Sequence, residues 1–458
     1  MTITAELTGR GITAPPLTAH RDPWELRLLA DDRLLADLAL AVGGPFHVLF
    51  PERVTANLRA YRAAFAEAGL AGAIYYARKA NKAACVITAC ARADAGVDVS
   101  SPGELVAALG GGIRGRELMI TGPAKSDELL WLATRHGAMI AIDAVDELDR
   151  LIALRAEPCR VLLRVRPRDS ASRFGMTEAE LVAALDLITR AGPDSIMVDG
   201  FSFHLTGYDP APRARLAGEL VDRCLRLRSE GHPASMISIG GGFAVDYADA
   251  EQWRAFADGL RDRWCHDGQG SGSLYPYHSE VAGPAMLTEI LRTDGLADRL
   301  REHGIRLAIE PGRSLLDRAG LSVFAVRGVK IREERGLPYR MITVDGSSLS
   351  LSEQWFGSEY VPDPVLWPSG TEQLQSGAAA PVPTCVGGVT CLESDLLSRR
   401  RIPLPREPRI GDLLIYPNTA GYQMDSNESE FQNHPIPPKI VLRPDLRWSL
   451  DHARGERS

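Results

Sequence analysis

"AIYYARKANKAA", residues 73–84, carries an apolar run that ends on Lys79 and passes at once into helix-favouring alanines. The same unit recurs on either side of it. Between about residues 70 and 315, short apolar runs alternate with amphipathic stretches. The runs are "GAIYYARK" (72–79), "GVDVSS" (96–101), "ELMITG" (117–122), "AMIAID" (138–143), "RVLLRVR" (160–166), "SIMVDGFSFHL" (195–205), "SMISIGGGF" (235–243) and "RLAIEPGR" (306–313). Intervening segments such as "PGELVAALGGGI" and "TEAELVAALDLITRAG" repeat apolar residues every three or four positions, as one face of a helix does. Strands alternating with helices of this length predict βα units and a parallel sheet. Eight units predict an α/β chain with a (β/α)8 barrel; a doubly wound open sheet is the alternative that the pattern leaves open.

A barrel gathers its reactive groups at the C-terminal ends of its strands. Read in order, those ends are Lys79, Asp98, Gly122, Asp143, Arg164, His204, Gly240–Gly242 and Glu310–Arg313. Beyond residue 316 the grammar changes to β-rich runs such as "LSVFAVRGVKI", "YRMITVDG" and "DLLIYPNTAGYQM", separated by proline and glycine turns. The resulting division is an N-terminal extension over 1–44, a barrel over 45–315, an all-β domain over 316–446 and a tail over 447–458. "PFHVLFPERV", near residue 45, is a further strand that could join the β-domain. Residues 1–20 and 450–458 are expected to be poorly ordered.

Composition narrows the function. The 458 residues carry a net charge of −7 with no long basic run, which argues against nucleic acid as the main partner. No apolar stretch is long enough to span a bilayer, and the N-terminus lacks the order of a secretory signal. Seven cysteines at irregular spacing form neither a disulfide framework nor a CxxC pair, and no metal site is expected. The economical reading is a soluble, cytoplasmic protein with reduced thiols.

Phosphate is the first ligand implied. Gly240, Gly241 and Gly242 follow the seventh strand, letting backbone N–H groups approach an anion, and Arg313 follows the eighth. A lysine facing a phosphate site points to pyridoxal 5′-phosphate held as a Schiff base. Glu310 suits the cofactor's ring nitrogen and His204 could stack on its ring.

The motifs "YYARKAN", "GVDVSSPGEL", "SRFGM", "FSFHLTG", "IGGGF", "EPGRSLL", "VGGVTCLESDLL" and "GDLLIYPNTAGYQM" occur in the order found in fold-type III pyridoxal-phosphate decarboxylases. From about residue 45 to 445 the sequence resembles the diaminopimelate and ornithine decarboxylase family. The resemblance implies an alanine-racemase-like barrel with a β-domain, and a homodimer with shared active sites. It assigns Lys79 the Schiff base, Asp98 the positioning of Lys79 and cofactor, His204 the stacking, and Glu310 the ring nitrogen. Gly240, Gly241, Gly242, Arg313 and Tyr422 would hold the phosphate, and Arg164 would support the 3′-hydroxyl side. Cys391, from the partner subunit, would donate a proton to Cα. Tyr360, Glu393 and Asp395 would contact the amino-acid substrate.

Several positions depart from that family. Leu392 stands where diamine and diaminopimelate enzymes carry an acid for the distal ammonium, and Glu393 comes one place later. A leucine leaves a buried ammonium unpaired, at a cost of several kcal/mol. "DGSSLSLSEQWFGSEYVPDP" (345–364) lacks the arginine expected for a distal carboxylate, so meso-diaminopimelate is a poor fit. Thr206 and Gly207 replace a glycine–serine pair, removing one expected phosphate hydroxyl for which Thr206 is the available substitute. The segment 265–283, with Tyr275, Tyr277 and His278, reads equally as a substrate lid or a disordered insertion. The expected activity is amino-acid decarboxylation. A racemase or epimerase on the same scaffold is the alternative, and a non-catalytic relative is the third.

Overall fold

The computed structural model of the protein describes residues 13–31, 33–154, 159–168, 171–192, 195–268, 274–351, 359–368, 380–425 and 429–451. After a first strand, β1 (Phe46–Leu49), eight parallel strands follow: β2 (Ala73–Ala77), β3 (Gly96–Val99), β4 (Leu118–Ile120), β5 (Met139–Ile142), β6 (Cys159–Arg164), β7 (Ile196–Ser202), β8 (Met236–Ser238) and β9 (Arg306–Ile309). They pair in sequence order and close on themselves, with Ala73 of β2 opposite Ala308 of β9. Closure settles the choice between barrel and open sheet. Tyr75, Met119, Met139, Ala141, Leu162, Met236 and Ala308 pack together, so the barrel encloses side chains and not a pore.

The crossover helices begin where the sequence supplies caps. Ser101 accepts from the Glu104 N–H just ahead of Pro102, Ser126 accepts from Leu129, and Thr177 and Glu180 form a reciprocal capping box. Asp209 caps the 20-residue helix Pro210–Ser229, whose first residue is a proline.

The second unit is built on β10 (Gly320–Glu334), β11 (Leu337–Val344), β12 (Val365–Trp367), β13 (Val382–Gly387), β14 (Leu396–Leu404), β15 (Leu413–Tyr416), β16 (Lys439–Leu442) and β17 (Trp448–Leu450). Its sheet runs β14-β13-β11-β10-β1-β16-β17, with β15 also paired to β10 and β12 to β15. β1 therefore lies inside this sheet, antiparallel to β10 and parallel to β16.

The domain boundaries expected from sequence need correction. One compact unit takes the described residues within 1–51, 245–280 and 316–451, and the other those within 52–244 and 281–315. Burial explains the interleaving. Helices Pro23–Ala30 and Leu34–Val42 put Trp24, Leu28, Leu35 and Leu38 into one core with Phe46, Val48 and Ile440. Residues 13–44 are thus part of the β-rich unit and not an extension; residues 1–12 lie outside the described residues. Val245, Tyr247, Phe256 and Tyr277 join a second core with Phe324, Ile342 and Tyr416. Tyr277 is fully buried, stacked on Tyr247 at 5.9 Å. Of the segment 265–283, residues 265–268 and 274–280 belong to this unit and 281–283 to the other, while 269–273 lie outside the described residues. At the C-terminal side β17 extends the sheet past 446, and 452–458 are outside the described residues.

Candidate active site

A cavity of about 1020 Å³ opens beyond the C-terminal ends of the barrel strands, with Lys79, Arg164, Ser202, His204, Arg213 and Glu310 in its wall. Lys79 stands on a single 3-10 turn, Arg78–Ala80, immediately after β2. Beside it Asp98, at the end of β3, is buried and accepts a hydrogen bond from Thr121 Oγ1. Burial first, and then the negative charge of Glu310, push the Asp98 carboxyl up to about 7; Lys79 and the Thr121 bond act in the opposite direction.

Strand ends β8 and β9 are laced together. Ser238 Oγ donates to Glu310 Oε1 at 2.5 Å, and the Glu310 N–H donates to the Gly240 carbonyl at 2.9 Å. The Gly241 N–H points to His204 Nδ1 at 3.3 Å, which makes Nδ1 the acceptor and leaves the ring's proton on Nε2. The His204 ring faces the open cavity. Desolvation by the surrounding protein, followed by the positive charges of Lys79, Arg164 and Arg213, holds its imidazole well below the usual range. A neutral ring follows on both counts.

Each of the three glycines is forced by a neighbour. A Cβ on Gly240 would meet His204 Nδ1 at 2.7 Å, one on Gly241 the Glu310 carbonyl at 2.7 Å, and one on Gly242 the Arg213 Nη2 at 2.5 Å. Gly240 and Gly242 also sit at φ +68° and +78°, where a side chain is strained. On the opposite wall Arg164 donates to Asp143 Oδ1 at 3.1 Å and lies 4.7 Å above the Phe174 ring. The Gly175 N–H reaches the same Asp143 oxygen at 3.2 Å, so "SRFGM" is tied to strand ends β5 and β6. Arg313 is buried in the turn after β9.

The remaining expected residues belong to the β-rich unit. Cys391 is exposed, receiving a hydrogen bond from Gln432 Nε2 at 2.5 Å, and its own N–H donates to Gln432 Oε1 at 3.2 Å. Leu392 and Glu393 beside it are exposed too. Tyr422 occupies a turn at φ +75°, an uncommon conformation for a residue with a side chain. Tyr360 and Asp395, expected at the substrate, both have partners within this unit. Tyr360 is buried in the aromatic core 5.1 Å from Tyr277, and its hydroxyl donates to the Pro417 carbonyl. Asp395 is buried and accepts from Ser348 N at 2.7 Å, Thr390 N at 3.2 Å and Thr390 Oγ1 at 2.7 Å, fixing the loop that carries Cys391.

Sequence reasoning passed over Ser202, Ser238, Thr121, Arg213 and Gln432. Ser202 and Ser238 carried a signal, being the last residues of β7 and β8. Arg213 carried none, since an arginine near a helix start reads as solvated.

The family model for the pyridoxal-binding domain of pyridoxal-dependent decarboxylases matches residues 52–263. A protein of Sinorhizobium fredii, named uncharacterized protein y4yA, is 36% identical over 454 residues, covering 97% of both chains. The chain belongs to the pyridoxal-dependent decarboxylase family. A diaminopimelate decarboxylase of Actinosynnema pretiosum subsp. auranticum is 29% identical over 470 residues, covering 97% of this chain and 95% of its own. In fold, the decarboxylase matches the diaminopimelate decarboxylase of M. jannaschii solved with L-lysine, at TM-score 0.71 and 18% identity over 91% of each chain.

Pyridoxal phosphate is the cofactor of this family of carboxy-lyases, and the cavity of this decarboxylase fits it. Its wall offers an amine, a carboxylate and a neutral imidazole, and the Gly240–Gly242 turn packs directly against His204, Glu310 and Arg213 of that wall. It also holds two buried polar atoms with no partner among the described residues, Ser202 Oγ and Arg213 Nε. Buried polar atoms left unsatisfied are rare in folded proteins and mark places where a ligand supplies the missing bond.

Proposed function

We propose that the protein removes the α-carboxylate of an amino acid other than meso-diaminopimelate, with Lys79 holding the cofactor covalently and Cys391 returning a proton to Cα. The observation that carries this reading is the convergence of Lys79, His204 and Glu310 on one cavity, with buried Asp98 feeling the charges of Lys79 and Glu310 and the Gly240–Gly242 turn packed against His204. When bound, pyridoxal phosphate supplies an electron sink for the pair left at Cα as carbon dioxide departs.

The chain's own groups have separate tasks. Asp98, close to Lys79 and carrying a raised pKa, is placed to hold or release a proton at the lysine amine. Glu310, steadied by Ser238, presents the carboxylate for a protonated ring nitrogen. His204, neutral and fixed by the Gly241 N–H, offers a flat face without positive charge. Gly240–Gly242, Arg313 and Tyr422 would take the phosphate, and Arg164 would support the ring's hydroxyl side. Cys391 sits exposed on a loop braced by Asp395, and in this reading it serves the site of a partner subunit in a homodimer. Its thiol proton passes to Cα, and the thiolate regains a proton from water. Leu392, next to Cys391, gives a distal ammonium no acceptor, which sets the substrate apart from meso-diaminopimelate.

The test is a panel of amino acids, diamino acids included, incubated with the holoenzyme in heavy water and followed by mass spectrometry. One substrate should lose carbon dioxide and gain one deuterium in the amine, with Cys391→Ser slowing turnover roughly a hundredfold or more. Deuterium entering an amino acid that keeps its carboxylate would replace this reading with racemisation. A diamine formed from a diamino acid would refute the role given to Leu392.

A further inference from the structure

Arg213 is a buried cation without a counter-ion. Only 1% of it is exposed, at the first turn of the helix that follows β7. Its hydrogen bonds all go to neutral carbonyls: Nη1 to Asp209 at 3.0 Å, and Nη2 to Leu205 at 3.0 Å and Gly207 at 2.7 Å. No carboxylate lies within ion-pair distance of it among the described residues. Other enclosed arginines behave differently: Arg164 is paired with Asp143, Arg400 with Asp363 and Arg401 with Glu334. A buried charge left unpaired is strongly destabilising, so an uncompensated guanidinium in a cavity wall calls for an anion from outside the chain. Burial lowers the pKa of Arg213, with Tyr208 and Asp209 acting in the opposite direction.

The position of the guanidinium says which anion. Nη2 lies so close to the glycine turn that a Cβ on Gly242 would come within 2.5 Å of it, and the side chain lines the cavity. Nε is buried with no partner. The same loop lacks a serine hydroxyl, having Thr206 and Gly207 instead. We propose that Arg213 binds the phosphate group of the cofactor, its guanidinium adding to the loop after β7, where Thr206 and Gly207 stand in the same wall. The proposal rests on the cavity being the cofactor site. Gly242 is then explained twice, by its own N–H and by the room it leaves for Arg213.

The full-length protein, freed of cofactor by dialysis, is titrated with pyridoxal phosphate and with pyridoxal, which lacks the phosphate. Intrinsic fluorescence reports binding, and the melting temperature of each variant checks that it folds. For Arg213→Gln the preference for pyridoxal phosphate over pyridoxal should fall roughly tenfold to a hundredfold, the range for a hydrogen bond to a charged group. Affinity for pyridoxal itself should hardly move. Arg213→Lys keeps the charge and should fall between the two. Equal weakening for both ligands would reduce Arg213 to a brace for the 205–209 turn and overturn the proposal, as would an unchanged preference. Should Gln not fold, the Lys variant and the wild-type phosphorus resonance decide. Beside a guanidinium the bound phosphate should stay dianionic down to pH values below about 6, its ordinary second pKa. Titration at that ordinary value would refute the contact. A wild-type protein that binds neither ligand would fail the cofactor site itself, a result separable from loss of preference alone.

Discussion

Asp98 shows how far a single residue can be taken. Its carboxyl ionises near 3.8 in an unfolded chain and near 7 in the cofactor-free fold, since burial and Glu310 disfavour the charge. Between those values the folded state holds a proton that the unfolded state has released, so this residue's contribution to stability declines as pH rises from about 4 to about 7 and is level beyond. Asp98→Asn should therefore gain on wild type across that window in melts of the cofactor-free protein. A wild-type-to-variant gap that stays constant from pH 4.5 to 7.5 would show that Asp98 does not carry the shift. That Asp98 stands at a barrel mouth was legible in "GVDVSS", because packing alone seldom places an acid at the end of an apolar strand. Arg213 was not legible, because what distinguishes it is the absence of a carboxylate in three dimensions. The inward packing of Tyr360 and Asp395 was not legible for a related reason: a motif gives residue types in order but not which of them turn inward.

Among the elements, the strand ends of β4 and β5 are held by a pair that pattern reading takes for solvated charges. Lys125 and Glu147 are both buried. Lys125 Nζ donates to the carbonyls of Gly122 at 2.9 Å and Ala141 at 2.5 Å and to Glu147 Oε2 at 3.0 Å. Glu147 in turn accepts from the N–H groups of Lys125 and Asp143, each at 2.8 Å. Every polar atom of the cluster helps to shape the loops beneath the cavity. Lys125→Met strands the Glu147 carboxylate and should cost about 3–5 kcal/mol in denaturant unfolding. The double variant Lys125→Met, Glu147→Leu should recover a good part of that loss, since paired removal leaves no isolated charge. A double variant as unstable as the single would show that the carbonyl bonds matter more than the charges. The eight barrel strands themselves were legible because apolar runs alternate with amphipathic helices, several of them capped, a repeat typical of βα units.

For the whole molecule, the interleaved chain sets the terms. A cut at residue 316 looks natural from the change in sequence grammar, yet it removes β1, whose neighbours on either side are β10 and β16. It also removes Tyr247, Phe256 and Tyr277 from the aromatic core. A fragment of residues 316–451 should show no cooperative melt and little dispersion of its amide resonances. Addition of residues 13–51 and 245–280 in the same polypeptide should restore both. A fragment that folds unaided would mean that β10–β17 form a sufficient core. Sequence periodicity sees neighbours along the chain, so it finds βα repeats easily and misses a strand whose partner is distant. That distance matters during synthesis. His47 leaves the ribosome well before its parallel partner, Lys439. At about 5–20 residues per second the first strand waits on the order of tens of seconds for its edge to be covered. During that interval the barrel segments can close, while an unpaired apolar ribbon remains open to chaperones and to other nascent chains.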